Sequence, residues 1–226
     1  MQSIHDYYDT LAKDYDQNRF GNSYGRYIDR LERKILQSWL NNTPPTDVVD
    51  LACGTGRLLQ FAMTGVDASA EMLRVARNKF PDRLLKHSTL PKLDLPDASF
   101  SAATCFHVLM HLDEALIKQS FAEIARVIKV GGRLIVDIPS QDRRALNRRR
   151  PNNNGWHGNT AATQTDVIHW SSPHWRLVKR RGILFIPIHR LPSFARAFFG
   201  GIDALIGRTF LARYSSYHVY ELERIA

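Results

Sequence analysis

The chain is predicted to be an α/β protein built on a mostly parallel sheet with an antiparallel C-terminal edge. Three observations predict it. Short, nearly continuous apolar runs at "DVVDLA", "SAATCFHVL" and "GGRLIVDIP" suit strands covered on both faces. Between the last two, "DEALIKQSFAEIARVIK" repeats apolar positions at helical spacing, and strands alternating with helices imply parallel pairing. After a polar break, "WRLVKRRGILFIPI" and the alternating "SSYHVYELERI" read as two further strands that form the antiparallel edge.

The elements follow in order. The opening segment gains helical periodicity through Tyr27, Leu31, Ile35 and Trp39, and Asn41, Asn42, Pro44 and Pro45 end that helix, so residues 1–43 are expected to form a helical cap. The first strand leads into the glycine turn "ACGTG", and a second short strand ends at Asp67. Only ten residues separate Gly56 from Asp67, so "RLLQFAMT" has room for a turn or two of helix and the first crossover is unusually short. Asp113 can cap the long helix that follows the next strand. The stretch from about 140 to 174 is polar, rich in Arg and Asn, and long for a connection. It reads as a functional lid or a disordered insertion, and a partly ordered lid is favoured because Trp156, His157 and Trp170 can tether it. Pro192 to Leu205 reads as one helix or two short ones. No linker or repeat divides the chain, so residues 1–226 are expected to form a single domain.

Composition narrows the class. An apolar content of 44% argues against disorder, and two cysteines, Cys53 and Cys105, argue against a disulfide scaffold or a cysteine metal site. No signal peptide and no stretch long enough to span a bilayer is evident, so a cytoplasmic protein is expected, peripheral contact with a membrane surface included. The formal net charge of +9 is unevenly placed: residues 1–125 hold 14 Lys/Arg against 16 Asp/Glu, and residues 126–226 hold 17 against 6. That basic half suits an acidic substrate, an anionic lipid surface or nucleic acid, and suits equally a solvated surface. A monomer or weak homodimer is expected.

Gly54 and Gly56 follow a buried strand, where small residues let a ligand approach the backbone, and Asp67 ends the next strand, where a carboxylate can accept ribose hydroxyls. This pattern asks for an adenosine-containing cofactor. It lacks both the three-glycine dinucleotide fingerprint and the glycine-lysine-hydroxyl ending of a phosphate loop, so neither NAD nor ATP is favoured.

Four segments in order, "VVDLACGTGRLL", "TGVDASAEMLRVAR", "LPDASFSAATCFHVLMHL" and "FAEIARVIKVGGRLIVDIPS", strongly resemble the class I methyltransferases that use S-adenosylmethionine. The resemblance is close over about residues 46–140 and implies a doubly wound, seven-stranded sheet. It further implies that Asp50 organises the loop near the amino-acid end of the cofactor, that Ala52, Gly54 and Gly56 line the turn, and that Asp67 binds the ribose with Ala68 and Met72 beside the adenosine. Phe106 and His107 would stand near the sulfonium, with Tyr15 and Arg19 closing the methionine side. Where relatives place an acid near the adenine, this chain has Thr89, with backbone contacts expected around Leu90.

His107 and His111, four apart, read as an acid/base pair or as structural histidines, with Asp166 or His169 as alternative bases. No metal is expected, because a third and fourth ligand are not evident near the two histidines. The lid adds His157 and Asn159, and Arg143, Arg144, Arg148, Arg149 and Arg150 suit a phosphate or carboxylate as well as a solvated loop. Trp156, Trp170, Phe185, Phe194, Phe198 and Phe199 are too dispersed for a substrate box, but with Arg190, Arg196 and Arg208 the later segment can form a weakly amphipathic surface for a lipid or partner. The function expected is methyl transfer to a small-molecule, glycan or lipid-linked acceptor, anionic in character. The rivals are an RNA methyltransferase, or a methyltransferase-like binding protein without turnover.

Overall fold

The structure is a computed structural model that describes residues 4–147, 158 and 160–226. Arg148, Arg149, Arg150, Trp156, His157 and Asn159 lie outside the described residues. Three helices open the chain: α1 (Ile4–Leu11), α2 (Tyr15–Phe20) and α3 (Ser23–Trp39). Then come β1 (Val48–Leu51), β2 (Thr64–Asp67), α4 (Ala70–Lys79), β3 (Leu84–His87), β4 (Phe100–Cys105), α5 (Glu114–Val127) and β5 (Ile128–Pro139). The remainder holds α6 (Gln141–Asn147), α7 (Gln164–Ser171), β6 (Trp175–Ile183), α8 (Ser193–Ile206) and β7 (Tyr217–Arg224).

The seven strands form one sheet in the order β3-β2-β1-β4-β5-β7-β6. β1 to β5 pair in parallel, and β7 inserts antiparallel between β5 and β6. The terminal pair is thus the antiparallel edge the sequence predicts, with β7 as the reversed strand and β6 outermost.

Helix starts follow local chemistry. Asn22, Ser69 and Asp113 cap α3, α4 and α5 by accepting the N–H groups of Gly25, Met72 and Leu116, each worth about 1 kcal/mol. Side chains alternate across a strand, so neighbouring Val48 and Val49 serve opposite cores. Val48 packs with Ile28, Leu36 and Trp39 of α3, and Val49 with Ile117, Phe121 and Ile124 of α5. Trp170 of α7, expected to tether the polar segment, is buried in the α5 core. Strand order reverses between β1 and β4, which leaves a crevice at their carboxyl ends where an open parallel sheet binds ligands.

The first crossover is as short as the spacing predicts. Residues 57–64 have room for at most a turn or two of helix, and the structure forms no α-helix there. Short-range turns replace it: Gly56 N–H donates to Cys53 O at 2.9 Å, Leu59 N–H to Gly56 O at 3.2 Å, and Phe61 N–H to Leu58 O at 2.9 Å. The reason is length. Residues 52–63 must return the chain to the start of a neighbouring parallel strand, and successive turns do this while burying Leu58, Leu59 and Ala62. Gly56 makes the tight path possible. It has φ +86°, and an added Cβ would meet Leu59 at 3.0 Å, Phe80 at 3.1 Å and Ala76 at 3.3 Å. Gly54, at φ +55°, has open space around the same position.

Gly56→Ala should therefore lose roughly 2–5 kcal/mol, from left-handed strain plus overpacking. Gly54→Ala should lose only the strain, about 1–2 kcal/mol. Urea denaturation of both variants checks this, and a smaller loss at Gly56 than at Gly54 contradicts the packing role.

Candidate functional site

A cavity opens at the crevice. Tyr15, Asp50, Ala52, Gly54, Asp67, Ala68, Met72, Thr89, Leu90 and Phe106 line it, together with His107 and His111. Two of the residues expected at the cofactor do not. Gly56 faces Leu59 and Phe80 instead, so its role is packing. Arg19 sits one helical turn beyond Tyr15 on α2, outside the lining. Its charge still reaches the site: burial raises the phenols of Tyr8, Tyr15, Tyr24 and Tyr217, and nearby Arg19 opposes the rise.

Two non-glycine residues of the cavity lining adopt left-handed backbone, Ala52 at φ 56° and His107 at φ 60°. Each conformation costs about 1–2 kcal/mol and persists only where surroundings hold it. At His107 the hold is explicit, since its N–H donates to Asp137 Oδ1 at 2.6 Å. Next to Ala52, Gly54 N–H donates to Asp67 Oδ2 at 2.7 Å, while Asp67 Oδ1 accepts Ser69 N–H at 2.8 Å. Asp67 thus ties the glycine turn of β1 to the end of β2, and the capping of α4 falls to Ser69. Asp50, across from Thr104 on β4, accepts its hydroxyl at 2.6 Å. Burial pushes the Asp50 carboxyl up to about 7, although Thr104 and Arg57 pull it down. Thr89 donates its hydroxyl to Leu90 O at 3.2 Å.

Beneath the cavity lies a buried chain of charges. Arg57 Nη1 lies 2.8 Å from Asp29 and Nη2 lies 2.7 Å from Glu32, and its guanidinium covers the Phe20 ring at 4.4 Å. The other oxygen of Glu32 lies 3.0 Å from His107 Nε2, and His107 Nδ1 lies 3.3 Å from Asp137. Burial alone would depress the His107 imidazole, but Glu32 and Asp137 together hold its pKa above the ordinary value. Burial would likewise raise Glu32, and Arg57 and His107 reverse that and hold it low. Glu32, His107 and Asp137 bring one donor atom each within 4.8 Å of one another, close enough in distance for a cation. Here Arg57 and the imidazole already meet those carboxylates, so the donors face cations the chain itself provides.

The amino-terminal helices close one side. Tyr8 Oη lies 3.1 Å from His111 Nε2, and Tyr8 and Phe20 line the cavity. Asp9 accepts the Ser69 hydroxyl, and Asp16 accepts from Thr55 and Lys79.

Asp166 and His169, read as alternative bases, do not line the cavity. The Asp166 carboxylate is taken up by a capping box at the start of α7, where it accepts from Thr163 N–H at 2.8 Å and its hydroxyl at 2.7 Å. His169 is exposed on the same short helix. Arg143 and Arg144 donate to the carbonyls of Tyr214 and Gly158. Sequence reasoning missed Glu32, Arg57, Asp137 and Tyr8. A signal existed for two of them: Glu32 stands one turn from both Ile28 and Leu36 on the apolar face of α3, and Asp137 interrupts the apolar run of β5.

Glu32→Gln should cost about 3–5 kcal/mol, because it leaves Arg57 and His107 buried beside a neutral amide. The share carried by His107 follows its raised pKa: it is fully present below the unfolded value near 6.5 and lost as pH rises through the folded value. The penalty read by urea denaturation should shrink between acidic and alkaline pH, and a pH-independent penalty removes the imidazolium from the network.

Comparison with known proteins agrees with this geometry. Residues 49–136 match the model of a methyltransferase domain. An uncharacterized protein of Methanocaldococcus jannaschii is 32% identical over 137 residues, 60% of this chain and 51% of that protein. A demethylmenaquinone methyltransferase of Bacteroides fragilis is 27% identical over 157 residues, 63% of this chain and 62% of the enzyme. The chain thus spans between half and two thirds of the length of these relatives. In fold it resembles an S-adenosylmethionine-dependent methyltransferase of Thermotoga maritima, with a TM-score of 0.68, 18% identity, and coverage of 98% of this chain and 99% of that one. Motif order, sheet order and these likenesses agree: residues 49–136 match a methyltransferase domain, and the fold is that of the S-adenosylmethionine-dependent methyltransferases.

Proposed function

We propose that the chain transfers a methyl group from S-adenosylmethionine to a small, largely apolar acceptor that gives up a proton, of the quinol type. The observation that carries the cofactor is the pairing of Gly54 with Asp67 across two strand ends. The space that a Cβ would fill at Gly54 is open, and Asp67 offers carboxylate oxygens to ribose hydroxyls at that same edge. Asp50 lines the cavity as a buried carboxyl suited to a cationic group. When bound, S-adenosylmethionine supplies an electrophilic methyl on a cationic sulfur. Support for the acceptor comes from the aromatic and aliphatic wall of Tyr8, Phe20, Phe106, Val108 and Leu112, and from the demethylmenaquinone methyltransferase among the relatives.

The residues then divide the work of orienting, drying and proton handling. The helices α1 to α3 act as the cap that excludes water. Thr160 donates its N–H to Met110 O at 3.2 Å and its hydroxyl to Leu112 O, which ties the residues just before α7 to the cavity rim. His107 holds its proton more firmly than a free imidazole, which disfavours it as the base and makes it a fixed cation under the acceptor. His111, oriented by the Tyr8 phenol, receives the acceptor proton instead. The whole chain works as one domain in this reading.

Calorimetric titration with S-adenosylmethionine and its demethylated product tests the cofactor. Asp67→Ala should weaken both by about 1.5–3 kcal/mol through lost charge-assisted hydrogen bonds. Because a cation beside Asp50 lowers its pKa from about 7, binding at neutral pH should release a proton and tighten as pH rises through that value. Absence of binding to folded protein leaves the binding-protein rival standing.

His111→Gln should lower kcat by about 10²–10⁴ with little change in cofactor affinity, and remove the acidic limb of the pH–rate profile. Radiolabelled methyl transfer into cell extracts checks the acceptor. Label in RNA alone overturns the small-molecule assignment.

A further inference from the structure

α8 is amphipathic with its faces reversed. A surface helix ordinarily turns its apolar stripe inward. Here the inward residue is Asp203, which is buried and accepts the N–H groups of Ile186 at 2.8 Å and Leu184 at 3.3 Å and the Tyr27 hydroxyl at 3.2 Å. That clamp fixes the rotation of the helix. The opposite stripe, at four- and seven-residue spacing, presents Phe194 (86% exposed), Phe198 (69%) and Leu205 (65%), and Phe210 (79%) continues it past the helix end. The stripe from Phe194 to Leu205 runs about 16 Å along the surface.

The surroundings are basic. Between Trp175 and Arg213 the chain carries eight Lys/Arg and one acid, the buried Asp203. Arg176, Lys179 and Arg213 meet Glu223, Glu221 and Asp142. Among the described residues no carboxylate lies within ion-pair distance of Arg180, Arg181, Arg190 or Arg208. Burial together with the neighbouring Arg208 lowers the pKa of Arg181, and burial together with Arg190 and Arg196 lowers that of His189. In both, the neighbouring arginines add to the larger effect of burial.

Topology puts this surface beside the cavity. β6 runs parallel to β5, so the connection from β6 to β7 that carries α8 leaves the sheet at the end where β1, β2 and β4 present the site. Contacts continue inward: the Tyr24 ring meets His189 edge-on at 4.8 Å, and Tyr217 meets His107 at 6.1 Å.

We infer that the outward face of α8, with Phe210, docks on an anionic lipid bilayer, the phenylalanines entering the headgroup boundary and the arginines meeting lipid phosphates. Exposed aromatic side chains ringed by unpaired arginines are what an interfacial helix needs. A second copy of the chain is disfavoured as the occupant, because a two-fold contact would set the same arginines against one another. The inference stands on fold and surface alone, and it deepens the proposed function by giving an apolar acceptor a route from the bilayer to the cavity.

The test is co-sedimentation of the whole protein with phosphatidylcholine vesicles, with and without phosphatidylglycerol. Partition should be at least about tenfold stronger with phosphatidylglycerol and should fall as salt rises. The double variant Phe194→Ser, Phe198→Ser should lose at least about tenfold, as should Arg190→Gln with Arg208→Gln. These side chains are exposed and lie outside the cavity lining, so affinity for S-adenosylhomocysteine without vesicles should be unchanged. No binding to either vesicle, or equal binding by the phenylalanine variant, overturns the inference. So does a dimer, seen by sedimentation velocity, that the phenylalanine variant abolishes. Because the vesicle assay needs no cofactor, failure of docking and failure of methyl transfer are read separately.

Discussion

Arg57 is the residue on which the rest of the site leans. Its guanidinium lies between Asp29 and Glu32 of α3, roofs the Phe20 ring, and belongs to the crossover that follows the glycine turn. Removing ions from water costs several kcal/mol each, so a buried charge persists only where its neighbours carry the opposite sign. The chain of contacts meets that condition by alternation, from Asp29 through Arg57, Glu32 and His107 to Asp137. One line of charge thereby joins the cap, the crossover and the ends of β4 and β5. The inner members, Arg57, Glu32 and His107, are the expensive ones to remove, because each leaves buried charges on both sides short of a counter-charge.

The two sides of the cavity are held in different ways. The floor consists of buried ion pairs and of Ala52 and His107 in left-handed backbone, which only a rigid setting sustains. The cap meets α4 through Asp9 with Ser69 and through Asp16 with Lys79, the latter pair lying with both side chains more than a third exposed. Exposed pairs of that kind contribute about 0–1 kcal/mol. The weaker ties leave α1 and α2 readier to part, while α3 stays fixed to the floor through Asp29 and Glu32, and ligand exchange asks for that combination.

Much of this was legible in the sequence. The apolar runs of β1, β4 and β5, the capping by Asp113, and the places of Gly54 and Asp67 at strand ends depend on local spacing, which a sequence displays directly. Glu32 was less legible. Read by itself it is an ordinary helical acid, and its meaning comes from Arg57 and His107, which reach it only after the sheet forms. Asp166 and His169 lie outside the cavity lining for the converse reason: their residue types suit catalysis, but a capping box takes up one and the other is exposed. Tyr8 was hidden because the first helix must fold back over a sheet whose strands lie far along the chain.

The missing crossover helix also bears on what the pocket refuses. In nucleotide-binding turns of related shape, the helix that follows points its amino terminus at the ligand and offers about half a positive charge to a phosphate. Here the glycine turn runs into a string of reverse turns, and the first cation after it, Arg57, is already committed to Glu32. The turn is left with little to give an anion, and the acids beside it, Asp50 and Asp67, point the local field the other way. The length of a loop thus removes the helix terminus on which a phosphate-bearing nucleotide would rest.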